Sequence, residues 1–315
     1  MKKLISVVTP CYNEEGNVRL LYNEVKIVFE KLTEYDYEHI FIDNASKDKT
    51  VSILKEIASN DKNVKIIVNV RNFGHLRSPF YGLLQAKGDA IILIVSDLQD
   101  PPSLIMEFVK KWEEGYKVVV GIKNQSEENF IMFATRKLYY NCLDKLSDVS
   151  QIKNFTGFGL YDRKIIEILR DVSDPNPYFR GLISEMGYDV CSIEYKQPTR
   201  KRGITKNNFY SLYDVAMMGI TNHTKVPLRL AAMIGFSVSI ISLLVAIIYT
   251  IYKIAFWDRF SVGIAPLVIG IFFFSSIQLF FIGVIGEYIG SIYTQVLKRP
   301  LVIERERINF EEEND

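Results

Sequence analysis

Cysteine is scarce in this 315-residue chain. Cys11, Cys142 and Cys191 are scattered with no CxxC pair, which excludes a disulfide framework and a thiolate metal site, and implies reduced thiols facing the cytosol. Net charge of one sign is also missing: the formal charge is +1, which argues against a dedicated nucleic-acid binder. Neither GxGxxG nor GxxxxGK[ST] occurs, so the dinucleotide fingerprint and the Walker loop are excluded. The apolar run at the N-terminus stops at Thr9-Pro10, too short for the core of a signal peptide, and reads as a first strand. Charge is nearly absent from residues 230–252 and 260–286, each long enough to cross a bilayer core of roughly 30 Å. With no charge inside either run, an ion or proton pathway is not expected.

What is present is a repeating pattern over the first part of the chain. Residues 4–9 are apolar and β-branched, and residues 18–32 carry apolar side chains at helical spacing. The same strand–loop–helix alternation recurs with strands predicted at 38–43, 64–68, 90–95 and 118–121. Helices are predicted at 18–32, 50–59, from Ser78-Pro79 to Gly88, and at 103–114. This alternation predicts an α/β fold with a doubly wound, mainly parallel sheet. Polar clusters then fall just past successive strands: Tyr12/Asn13/Glu14, Asp43/Asn44 and Asp97/Asp100. Ligands of open α/β sheets bind at that edge. Asn17, Ser46 and Asp48 are better read as helix caps.

Four motifs carry a resemblance. They are Thr9-Pro10-Cys11-Tyr12-Asn13-Glu14-Glu15, Asp43-Asn44-Ala45-Ser46-Lys47-Asp48, Asn72-Phe73-Gly74-His75 and Asp97-Leu98-Gln99-Asp100-Pro101-Pro102. Together they resemble glycosyltransferase family 2, in its polyprenyl-phosphate branch of bactoprenol glucosyltransferases and relatives of dolichyl-phosphate mannose synthases. The likeness continues through Tyr178-Phe179-Arg180-Gly181-Leu182 and ends at Lys298-Arg299-Pro300-Leu301. It implies a GT-A-like fold, a nucleotide-sugar donor (usually a UDP-sugar) and a lipid phosphate acceptor. The implied donor site comprises Pro10, Tyr12, Asn13, Glu14, Asp43, Asn72, His75, Ser96 and Gln99. Asp97, Asp100 and Arg180 become the candidate catalytic residues, with Asp97 as the ligand of Mg²⁺ or Mn²⁺. An acceptor phosphate is already ionised, so no strong general base is required.

The sequence departs from the family in three places. Val95 stands where the family has the first acid of DxD, Gly157 aligns with a further acid, and Asn44 replaces the second acid of DDGS. An alternative therefore stands beside the enzyme, a non-catalytic membrane scaffold or sugar-nucleotide-binding protein of the same fold.

The acceptor side is expected at the basic loop carrying Arg200, Arg202 and Lys206, where guanidinium groups suit phosphate and anionic lipid. Residues 127–146 read as a core helix. The domain division is 1–206 for the catalytic domain, 207–229 for an amphipathic juxtamembrane helix, 230–290 for a transmembrane hairpin and 291–315 for a C-terminal tail. Lys225, Arg229, Lys298, Arg299, Arg305 and Arg307 flank the outer ends of the hairpin, which places the catalytic domain and both termini in the cytoplasm. The sum is a multi-pass inner-membrane enzyme that moves a sugar, with inversion, to undecaprenyl phosphate for surface polymer or lipid modification. The family implies a homo-oligomer, tetramer or dimer. No QxxRW is present, which disfavours a processive polysaccharide synthase.

Overall fold

In a computed structural model, residues 2–123, 152, 155–172, 174–197, 217, 226–256 and 264–310 are described. The basic loop with Arg200, Arg202 and Lys206, the expected helix 127–146 and most of residues 207–229 lie outside them.

The first half follows the alternation. Strand β1 (Lys3–Cys11), α1 (Val18–Lys31), β2 (Tyr35–Asp43), α2 (Thr50–Asn60), β3 (Val64–Asn69), α3 (Gly74–Gln85) and β4 (Ala90–Leu93) come in order. A short 3₁₀ turn, Pro102–Leu104, leads into α4 (Ile105–Glu113), and β5 is Val118–Lys123. Then come β6 (Phe155–Asp162), α5 (Arg163–Val172), α6 (Phe179–Glu185) and β7 (Val190–Tyr195). Two long helices, α7 (Val226–Ala255) and α8 (Ile264–Val296), precede a last strand, β8 (Glu304–Ile308).

All eight strands join one sheet in the order β7-β5-β6-β4-β1-β2-β3-β8. β1 is parallel to β2 and β4, β2 to β3, and β5 to β7, whereas β6 and β8 run antiparallel to their neighbours. The sheet is thus mixed but mainly parallel. Helices cover both faces. Leu21, Val25 and Phe29 of α1 and Phe108 and Trp112 of α4 pack on Ile5, Val7 and Ile92. On the opposite face Phe80 and Leu83 of α3, Ile166 and Leu169 of α5, and Phe179 and Ile183 of α6 pack on Val8, Ile42 and Ile91. Strands covered on both faces need no polar alternation, so they read as unbroken apolar runs.

Several boundaries move. Helix α3 begins at Gly74, not at Ser78, and contains Pro79. Side-chain bonds to the preceding loop, described below, hold Phe73 and Gly74 in place, so the helix starts before the proline. β4 ends at Leu93, two residues short of Val95, although Ile94 N still donates to Val8 O at 3.0 Å. The expected tail over 291–315 holds the last turns of α8 and then β8. β8 pairs Ile308 with Ile66 and Arg307 with Ile67, so the chain returns from α8 to the edge of the first half's sheet. Asn309 Nδ2 donates to Ala58 O and Val64 O, both at 2.8 Å, and Glu306 pairs with Lys55 at 2.6 Å. The end of α8 is tied to the same body: Gln295 Nε2 donates to Asp174 Oδ1 at 2.8 Å, and Arg77 Nη2 donates to Pro300 O.

Among the described residues, Gly270–Val296 of α8 is one helix segment long and apolar enough to cross a membrane. Its 27 residues span about 40 Å at 1.5 Å per residue. Phe272, Leu279 and Phe280 are exposed, as lipid-facing side chains would be.

Candidate functional site

The carboxyl ends of β1, β2 and β4 lie side by side, with Cys11 opposite Asp43 and Val8 opposite Leu93. Each loop beyond turns through a non-glycine residue with positive φ: Asn13 at 56°, Ala45 at 63° and Leu98 at 58°. The left-handed region costs an L-residue on the order of 1–2 kcal/mol, so three such residues at one sheet edge need support from neighbours.

The first two loops supply that support to each other. Asn13 N donates to Ser46 Oγ at 2.8 Å and Asn13 Oδ1 accepts from Lys47 N at 2.8 Å. Glu14 N donates to Thr50 Oγ1 at 2.8 Å, and Glu15 Oε2 accepts from Lys49 N at 2.9 Å. Asp43 is fully buried and accepts from Ser46 N at 2.9 Å and from the Ser46 hydroxyl. Burial raises its pKa despite those two bonds, which act in the opposite direction. Ser46 is therefore a cross-link and not a cap. Asn17 makes no capping bond either: its Nδ2 donates to Glu14 Oε2 at 2.6 Å. Asp48 does serve the start of α2, accepting from Thr50 N at 3.0 Å.

Asn44 organises the loop after β3. Its Nδ2 donates to Asn72 Oδ1 at 2.9 Å and to Gly74 O at 3.0 Å, while its Oδ1 accepts from Phe73 N at 2.8 Å and Asn69 Nδ2 at 3.2 Å. An aspartate could not donate to two oxygens, so the departure at this position has a structural cause. The loop in turn presents His75, whose pKa is lowered by desolvation of the ring and by the charge of Arg180. Arg180, in α6, donates to Phe155 O at 3.2 Å and lies 5.3 Å from the Tyr178 ring centre. His75 and Arg180, distant in sequence, are thus near enough to sense each other.

The loop after β4 is the most enclosed. Ser96, Asp97, Leu98 and Asp100 are buried, whereas Val95 is 37% exposed. Gln99 N donates to Asp97 Oδ1 at 3.2 Å, closing a turn that holds the carboxylate. Asp100 accepts from the Tyr195 hydroxyl at the end of β7. Burial pushes Asp100 up to about 6, Tyr195 and Lys123 oppose the rise, and Asp97 adds to it. Tyr195 carried no sequence signal, being one aromatic at a strand end. Lys123 reads in the sequence as a cation available for phosphates or as part of a solvated face, whereas here its charge acts on Asp100.

Gly157 in β6 has φ 105°, a region costly for any residue with a Cβ. The missing acid there is a consequence of backbone shape, since space alone is adequate: a Cβ would meet Leu93 Cδ2 at 3.4 Å. Among the described residues no three of His, Cys, Asp and Glu gather into a metal-binding group. Asp97 stands in this edge without two further such side chains grouped around it, so a hard cation held here would take its other ligands from phosphate oxygens and water.

The profile of the family described as Glycosyl transferase family 2 matches residues 6–170. The uncharacterized glycosyltransferase YkcC of Bacillus subtilis (strain 168) is 36% identical over 307 residues, covering 97% of this chain and 94% of that protein. The bactoprenol glucosyl transferase of Shigella phage SfII is 35% identical over 300 residues, covering 95% and 96%. Glucosyl-3-phosphoglycerate synthase from Mycobacterium tuberculosis, solved with Mn²⁺, UDP and phosphoglyceric acid, overlaps 70% of this chain and 76% of that one. It does so at 19% identity with a TM-score of 0.49.

Proposed function

The chain belongs to glycosyl transferase family 2 and is a glycosyltransferase, and from that premise we propose that it moves a sugar from a UDP-sugar to undecaprenyl phosphate. The single observation that carries this reading is the likeness to the phage bactoprenol glucosyl transferase across 95% of the chain, through the catalytic sheet and both long helices.

In the proposed reaction an oxygen of the acceptor phosphate attacks the anomeric carbon of the sugar. The bond from that carbon to the donor's diphosphate breaks on the opposite face, its electrons leave with the diphosphate oxygen, and the anomer inverts. The phosphate nucleophile is ionised, so no side chain has to accept a proton. A Mg²⁺ or Mn²⁺ ion on Asp97 would offset the charge gathering on the departing diphosphate. Tyr12 and Glu14 would hold the uracil and ribose, with Pro10 and Asn13 shaping their loop, whereas Asp43, fully buried and bonded to Ser46, would act by fixing the loop after β2 and not by direct contact. Ser96 and Gln99 would flank the diphosphate in the turn that fixes Asp97. Asn72 and His75 would close the donor edge, and Arg180, whose charge His75 senses, would steady phosphate charge. Asp100, held by Tyr195, would set the position of the loop.

The reading includes a membrane hairpin of α7 and α8, a cytoplasmic site and two cytoplasmic termini. The return of the chain from α8 to β8 supports this: a chain that crosses twice ends on the side where it began. It also includes the acceptor contacts of Arg200, Arg202 and Lys206 with the lipid phosphate and anionic lipid, and a homo-oligomer, tetramer or dimer.

The test is incubation of the purified full chain with a panel of UDP-sugars, undecaprenyl phosphate and Mn²⁺. The expected result is a lipid-linked sugar of inverted anomeric configuration, with Asp97→Ala lowering kcat/KM at least about a hundredfold. Absence of product from every donor, with UDP still binding, would sink the reading.

A further inference from the structure

Arg71 and Arg77 lie against Phe73 at the β3 end of the sheet edge, with Arg299 near enough to Arg77 for their charges to interact. The Arg71 guanidinium lies 4.1 Å from the Phe73 ring centre and that of Arg77 lies 5.8 Å away. Arg77 also senses the charge of Arg299, and its pKa is lowered by burial, then by Arg71, then by Arg299. Among the described residues none of the three pairs with a carboxylate. Arg77 Nε is buried with no hydrogen-bond partner among the described residues. Three like charges with a buried, unmade donor at their centre are unfavourable unless an anion joins them. The planar guanidinium fork suits a phosphate.

Two phosphates are already assigned to the proposed reaction, and neither belongs here. β3 is separated from β4 by β1 and β2. Three strand spacings of about 4.8 Å therefore separate the end of β3, which leads into Arg71, from the end of β4, which leads into Asp97, about 14 Å at the level of the sheet. The donor diphosphate sits at the Asp97 loop, and the acceptor phosphate must reach the carbon bonded to it. Arg299 follows the end of α8 at Val296, and Arg77 donates to Pro300 O, so the cluster lies at the level where the membrane-spanning helix emerges. The partial charge at a helix C-terminus accounts for a cation such as Arg299. It does not account for Arg71 and Arg77 being brought against it.

We propose that Arg71, Arg77 and Arg299 form a binding site for the phosphate of an anionic bilayer phospholipid, bordering the donor edge at Asn72 and His75 and distinct from the phosphates of donor and acceptor. The proposal rests on the membrane reading given above. By holding one headgroup, the site would fix the catalytic sheet against the membrane surface on the side of β8.

The experiment is thermal unfolding of the detergent-purified full chain with dioctanoyl phosphatidylglycerol, dioctanoyl phosphatidylcholine or inorganic phosphate at matched concentrations. Saturating phosphatidylglycerol is expected to raise the midpoint by about 2–4 °C, with no shift from the other two. The double variant Arg71→Gln/Arg299→Gln alters two exposed side chains, so it should keep the wild-type midpoint without lipid and lose at least half of the shift. Arg77→Lys, which keeps the charge without the fork, should weaken it as well. An equal shift in the double variant overturns the proposal, as does no shift in the wild type. An equal shift from phosphatidylcholine or free phosphate also overturns it. Alkaline carbonate washing of membranes is read in parallel. Release of the chain there defeats the membrane reading itself, whereas retention with a failed lipid arm defeats this proposal alone.

Discussion

Asn44 Nδ2 donates to Asn72 Oδ1 at 2.9 Å, tying the loop after β2 to the loop after β3. Asn72 cannot turn its amide over to suit a different partner, because the same Oδ1 accepts from Gly74 N at 2.7 Å. The family's aspartate at position 44 would therefore set acceptor against acceptor, at Asn72 Oδ1 and again at Gly74 O. Asn44→Asp is expected to lower stability by about 2–3 kcal/mol at pH 7. Part of that loss should return at pH 4, where the protonated acid can donate one bond. Urea unfolding at both pH values checks the prediction; equal loss at the two would contradict it.

The two other departures behave oppositely. Gly157 is held at φ 105°, so Gly157→Asp is expected to cost about 2 kcal/mol of stability and gain no activity. Gly157→Ala should cost nearly as much, which identifies the backbone and not the charge as the cause. Thermal melts of both variants decide it.

Val95 is exposed at the mouth of the Asp97 loop, so an acid there meets solvent and not a packed core. Val95→Asp should change stability by less than about 0.5 kcal/mol. It should also lower the Mn²⁺ concentration giving half-maximal transfer several-fold, by adding a second oxygen ligand. A titration of activity against Mn²⁺ reads this directly.

These residues mark where the sequence was legible. Buried parallel strands such as β1 and β4 are continuous apolar runs, so their existence and the polar clusters beyond them were legible in the sequence, although their ends fall two residues from where the apolar runs stop. Tyr195 could not, because its meaning depends on β7 lying where its hydroxyl meets Asp100. β6 contains Gly157 and Gly159, and its strand character comes from pairing with β4 and β5. β8 reads Glu-Arg-Glu-Arg-Ile, the sequence of a solvated run. Charges that alternate along an edge strand are compatible with pairing on one side, and only its position beside β3 makes it a strand. The role of Asn44 was hidden for the same reason: its four partners lie on β3 and the loop after it.

The closing strand gives its own prediction. Asn309 has φ 60° and donates to two backbone carbonyls, at Ala58 and Val64. Asn309→Ala removes both bonds and leaves a less tolerant residue in the left-handed region. A loss of about 2–3 kcal/mol is expected. Hydrogen exchange should show the loss concentrated in β3 and β8, with β5 and β7 unchanged.

Asp100 is 3% exposed and accepts from Tyr195, yet burial raises it from 3.8 to about 6. A folded-state value above the unfolded one means that the folded chain holds the proton more tightly between those two pH values. Its contribution to stability is therefore present below about pH 4 and is lost as pH climbs through about 6. Two pKa units correspond to roughly 3 kcal/mol as an upper figure, with Asp43 adding a change of the same sign. Asp100→Asn keeps the size of the side chain and an oxygen for Tyr195, but cannot ionise. It should stabilise the fold at pH 7 by about 1–3 kcal/mol and flatten the fall in stability between pH 4 and 6. Tyr195→Phe should do the reverse at pH 7, since it removes a donor that favours the ionised carboxylate. The measurement is denaturant unfolding of the three proteins from pH 4 to pH 8. Parallel curves for wild type and Asp100→Asn would show that this carboxyl does not titrate in the folded range.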